Sequence, residues 1–151
     1  MKDYLRWLGG SVALRLVAVG IPLYFAEELL QMVAYVPESR TPAAVVALCG
    51  LAAVGDVVIL LGPWAAAGVM FGATAWFSPP RAARYAAVVA AGIVVNVAVE
   101  WVAVHRLGLW TYQPWQPTLP PLGTGLMAVL QPVIVLPLVF WAAHRWTARR
   151  S

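Results

Sequence analysis

Six carboxylic acids are spread over 151 residues, and two of them, Asp56 and Glu100, stand inside apolar runs of hydrocarbon length. A carboxyl there is costly unless it has a partner or a task, so these two are the first candidates for chemistry. In a low dielectric two such groups cannot both ionise cheaply, and one that keeps its proton can donate it to a substrate or pass it along a relay. Both are read as candidate catalytic acids; hydrogen bonding that only fixes packing is the other reading of the same pair. Asn96 lies one helical turn before Glu100, and Gly92 two turns before, so all three share a helix face.

Beyond Glu100 the chain passes His105 and Arg106 and enters LGLWTYQPWQPTLPPLGTG. Asn96, Trp101, His105, Trp110, Tyr112 and Trp115 are the candidate ligand-contacting residues of this region. Prolines at 114, 117, 120 and 121 cut its freedom, so the rings read either as a lid over a helix bundle or as an aromatic belt at headgroup level. Glu100 and His105 are five residues apart, roughly 140° around a helix, and His144 belongs to the far end of the last apolar run. No metal site is therefore expected, and no cofactor. There is no G-x-S-x-G, no glycine-rich phosphate loop, and Cys49 is expected at a different depth from either histidine, which sets aside hydrolase and kinase chemistry.

Glu100, then Leu107-Gly108-Leu109-Trp110-Thr111-Tyr112, then Leu119-Pro120-Pro121-Leu122-Gly123 resemble a pattern in membrane carotenoid-processing enzymes, the small-subunit lycopene cyclases and the carotenoid hydratases. In those families an acid precedes a G-x-W/Y-x-Y turn and a later proline-led helix. The resemblance implies a helical membrane fold and acid chemistry on an isoprenoid, with Glu100 as the acid. It covers about 25 of the 151 residues. The Pro-x-Glu-Glu signature of the cyclases has no counterpart at Met127-Ala128-Val129-Leu130-Gln131-Pro132. More broadly the chain resembles small multi-pass membrane proteins of bacteria.

The elements that must position these residues follow from composition. Hydrophobic residues make up 62% of the chain and charged residues 11%, with a mean hydropathy of +0.80. This lies outside the soluble range and points to an all-α polytopic transmembrane bundle, one domain over residues 1–151. The net charge of +4 comes mostly from arginines at the termini and in short connections, the pattern that orients a membrane protein, so no nucleic-acid partner is expected. Arg15 interrupts the first apolar run and no small-x-small site follows, so that run is read as an uncleaved helix.

Five spans are expected, at about 7–35, 43–61, 63–77, 85–104 and 126–141, with four as the alternative. The apolar stretch 43–77 would reach roughly 52 Å as one helix, and Gly62-Pro63 suits the end of one helix and the start of the next. Trp64 and Trp76 would then anchor the third span at the two interfaces. Asp56 and Glu100 would share one layer, each about 8 Å below the outer surface. Gly68-x-x-x-Gly72 would admit a close helix neighbour, in packing or in a homo-oligomer. The first span carries Pro22 as a kink and sets Tyr24, Glu28, Gln31 and Tyr35 on one face, either an interfacial end or a polar stripe toward the interior.

The Arg81/Arg84 turn and the C-terminal arginines share a side, which the positive-inside rule makes cytoplasmic. The Trp/Pro-rich segment then faces outward from the cell (inner) membrane. Two functions are compatible with this layout. One is an outer-leaflet cavity for a lipid-like or isoprenoid ligand, with acid-catalysed chemistry on it. The other is a non-catalytic bundle acting as an assembly subunit or transport component.

Overall fold

The computed structural model describes residues 11–36, 41–72 and 75–148. Among these residues are four α-helices, α1 (Ser11–Gln31), α2 (Pro42–Phe71), α3 (Ala82–His105) and α4 (Met127–Ala148). A 3₁₀ turn, Met32–Ala34, extends α1, and two short antiparallel strands, β1 (Thr118–Leu119) and β2 (Thr124–Gly125), lie between α3 and α4. All four helices are long and apolar enough to cross a membrane, so by composition this is a multi-pass membrane protein. The expected start of the first span at Trp7, the loop 37–40 and the arginines at 149 and 150 lie outside the described residues.

Four candidate spans among the described residues, not the five expected, is the first correction. α2 runs unbroken through Gly62-Pro63 for 30 residues, about 45 Å of helix. Proline removes one N–H and crowds the carbonyl four residues back, but a transmembrane helix packed on its neighbours tolerates that loss. Pro63 is buried in the core of the bundle, where such support exists. Thr41 opens α2, its side chain accepting from Ala44 N at 3.3 Å, with Pro42 in the first turn. Gly72, at φ +67°, closes it by giving its N–H to the carbonyls of Gly68 and Val69.

The surplus apolar length is spent differently from a fifth span. Between α2 and α3, Trp76 and Phe77 are inserted into the core, 0% and 2% exposed. The Trp76 indole donates to Trp64 O at 3.1 Å and meets the Phe140 ring edge to face at 4.8 Å. Trp64 and Trp76 are thus core residues rather than interfacial anchors. Gly72 ends its helix instead of continuing a packing face, and Gly68 is turned into the protein's own core.

Two glycines do set helix spacing. A Cβ at Gly20 would lie 3.0 Å from a Val57 methyl, and one at Gly92 would lie 2.5 Å from Leu136 Cδ1 and 3.2 Å from Pro132 Cβ. α1 therefore seats on α2, and α3 on α4, at close range. The chain ends of the bundle are tied separately. At one end Ser78 Oγ and His144 Nδ1 are 2.8 Å apart. At the other, Val36 N donates to Thr111 O at 2.8 Å and Gln113 N to Ala34 O at 2.9 Å, so the long connection is sewn to the end of α1.

Candidate functional site

Four of the six acids, Glu27, Glu28, Asp56 and Glu100, sit on three of the helices and face the interior to differing degrees. The fourth helix supplies Gln131, 6% exposed, which joins them. Its amide nitrogen donates to Glu27 Oε2 and to Asp56 Oδ2, both at 3.0 Å. Its oxygen accepts from Asn96 Nδ2. One amide thus satisfies side chains from α1, α2 and α3 at once, using both donor hydrogens and the acceptor.

Asn96 has a second task set by the sequence of α4. Pro132 has no N–H to offer the carbonyl of Ala128 four residues back, and Asn96 Nδ2 donates to that oxygen at 3.2 Å. The side chain that reads as a lone polar group on an apolar face is the partner of a proline-freed carbonyl.

From Gln131 the hydrogen bonds continue toward the end of α1. Gln31 donates to Glu27 Oε1 and accepts from the Tyr35 hydroxyl at 3.1 Å, and that hydroxyl also lies 3.5 Å from Glu100 Oε1. Glu100 Oε1 accepts from the Tyr112 hydroxyl at 2.7 Å and from the Trp110 indole at 3.1 Å. The rings form a box, with Tyr35 stacked on Tyr112 at 5.9 Å and edge-on to Trp110 at 5.8 Å. Glu28 and Asp56 hydrogen-bond each other through their carboxyls.

Backbone chemistry explains why the rings reach Glu100. Gly108, at φ +59°, turns the chain back as α3 ends, and Tyr112 bridges to Tyr35 as an isolated antiparallel pair. The Tyr112 ring packs on Gly125, where a Cβ would meet its Cε1 at 2.8 Å. Burial, with the neighbouring Glu100 adding to it, pushes the Tyr35 phenol well above its usual value. The Tyr112 phenol is also raised, first by burial and then by Glu100, against the Gly125 N–H. Both remain O–H donors at any ordinary pH.

Of the residues singled out from sequence, Glu100, Trp110 and Tyr112 come together directly. Asp56 and Asn96 meet through Gln131. The Trp101 and His105 rings meet at a tilt, 5.7 Å apart, with Arg106 over the Trp101 ring at 5.2 Å, and the His105 ring packs against Gly123. Trp115 is 60% exposed. Tyr24, Glu28, Gln31 and Tyr35 answer the open reading of the first span: the stripe faces the interior, with Tyr24 and Gln31 buried. Gln131 carried no signal except its place one residue before a proline in an apolar run.

The space beside this network is small, about 10 Å³ between Tyr24, Asp56, Asn96 and Gln131, enough for one water. Further in, the bundle is apolar, filled by Leu60, Trp64, Leu136, Val139 and Phe140. The polar chain is thus one-sided, open toward the Tyr35–Tyr112 end and stopped by packed rings at the other. This defines a class, an all-helical bundle of four membrane-length helices around a buried carboxyl network. The sequence matches no protein-family model, and neither curated proteins nor solved structures show a significant similarity to it.

Proposed function

We propose that this chain is a cell-membrane protein, its C-terminus cytoplasmic, whose interior carboxyls supply a proton to a lipid-like or isoprenoid molecule at Glu100. The observation that carries the reading is the unbroken set of hydrogen bonds from Asp56 through Gln131, Glu27, Gln31 and Tyr35 to Glu100. A polar chain that ends in an aromatic plug is ill suited to carrying protons across the membrane and well suited to holding one. Glu100 is half-buried in a box of three rings, and cationic charge developing on a polyene beside it would be stabilised by their faces. The acid adds its proton to a carbon–carbon double bond; the carbocation then returns a neighbouring proton to the carboxylate, leaving a shifted double bond and no redox change.

The test is isotopic. Membranes containing the protein and a linear polyene isoprenoid, incubated in D₂O, should place deuterium on carbon in the recovered lipid, and Glu100→Gln should abolish it. Polyene without deuterium above protein-free membranes overturns the reading. A second reading, a non-catalytic bundle that assembles with other subunits, is favoured by the same bonds serving structure, above all Asn96 on the Pro132-freed carbonyl. Under it the protein purifies as a stable oligomer with no lipid in stoichiometric amount.

A further inference from the structure

A second surface lies at the end of the bundle away from Glu100. Pro80, Tyr85, Pro137, Leu138 and Trp141 line an open groove of about 400 Å³, with Leu138 and Trp141 45% and 51% exposed. Along α4, Pro137, Trp141 and Arg145 recur every fourth residue, so one stripe runs from the floor of the groove to a cation. The Arg145 guanidinium lies 5.3 Å from the centre of the Trp141 ring and is exposed. On the facing wall Pro80 leads into Arg81, the exposed N-cap of α3, whose first turn has neither a side-chain cap nor an acid. The positive end of a 24-residue helix adds to the arginines there.

The walls are held by contacts that do not depend on an occupant. Ser78 Oγ against His144 Nδ1 at 2.8 Å ties the Pro79-Pro80 turn to α4. The Tyr85 hydroxyl donates to Phe77 O at 3.5 Å, and Phe77 stacks on Phe140 at 5.5 Å. The groove is therefore an apolar trough of fixed width with cationic groups at its mouth.

That pattern complements a hydrocarbon tail joined to an anionic head. We infer that the groove holds one anionic phospholipid of the adjacent leaflet, an acyl chain between Pro80 and Trp141 and the phosphate at Arg81 and Arg145. A zwitterionic lipid offers the same tail without net charge, so the arginines set a preference while the trough sets retention.

Native mass spectrometry of the full chain, released from micelles holding equal phosphatidylglycerol and phosphatidylcholine, tests this. One phosphatidylglycerol should be retained in preference, with about a fivefold loss of that preference for each of Arg81→Ala and Arg145→Ala. Arg145→Lys should keep most of it, and Trp141→Ala should lower retention of both lipids. Arg106→Ala removes a cation at the other end of the bundle and should change nothing. Equal retention of the two lipids by the unmodified protein overturns the inference. So does a loss in Arg106→Ala as large as in Arg145→Ala, which would make the effect one of net charge, or a lipid-free dimer as the released species.

Discussion

Replacing Gln131 by Met tests whether the four helices are held by their polar core. Met keeps the length and volume of the side chain and removes every hydrogen bond it makes, leaving Glu27, Asp56 and Asn96 each short of a partner. Hydrogen bonds between membrane helices are worth roughly 0.6–1.7 kcal/mol each. Three lost together give about 2–5 kcal/mol, before any gain from the more apolar side chain. Unfolding in mixed micelles, followed by helical circular dichroism against increasing denaturing detergent, reads the difference. Glu27→Gln on its own keeps an acceptor for the Gln131 amide and should cost less. In a double-mutant cycle Gln131→Met and Glu27→Gln should couple, the second change mattering little once the first is made. A stability within about 0.5 kcal/mol of the unmodified protein, or strict additivity of the pair, would refute the idea that Gln131 is the joint of the bundle.

Cysteines placed at Thr118 and at Ser151 should react with a membrane-impermeant thiol reagent in intact cells at the first position only, because buried Cys49 gives little background; labelling of the second alone reverses the proposed orientation. Reporters at the N-terminus and after Arg84 should lie on the same side, and opposite sides would restore an odd number of spans. Gly125→Ala should cost about 1–3 kcal/mol, since its Cβ would meet Gln116 Nε2 at 2.6 Å and the Tyr112 ring at 2.8 Å. Gly108→Ala has open space and meets only the positive φ, so it should cost less; the reverse order would disprove the packing of Tyr112. The Tyr35 and Tyr112 phenols are raised above 10.0 in the folded protein. The native state then keeps protons that the unfolded state releases, so stability falls as pH rises past about 10. Tyr112→Phe should make that alkaline decline shallower, and an unchanged slope would remove Tyr112 from the account.

Membrane class, helix content and three of the four span positions were legible because hydrocarbon thickness imposes one length on every crossing helix. The error over residues 43–77 came from treating length and a Gly-Pro pair as local signals. Whether Pro63 breaks a helix is decided by what packs around it, and whether Trp76 anchors an interface or fills a core is decided by a turn at Gly72 that brings it back to Trp64. Glu100 with Trp110 and Tyr112 was visible because an acid and a ring-rich connection lie within twelve residues. Glu28 and Gln31 were visible only as a stripe with two meanings. Gln131 was not, since its partners lie 75 and 104 residues away and nothing in an apolar run marks where a remote carboxyl will arrive.

That separation bears on how the protein is made. Glu27 enters the bilayer with the first helix, while the amide that receives it is the 104th residue after it. At about 5–20 residues per second the ribosome needs roughly 5–20 s to supply that partner. Through that interval Glu27 has Gln31 of its own helix as a partner but lacks the amide that later bonds its second oxygen. A chain truncated before Gln131 would lack the amide that bonds Glu27 and Asp56. The last helix is thus the element that closes the polar joint, and a copy made without it lacks the one amide that α1, α2 and α3 share.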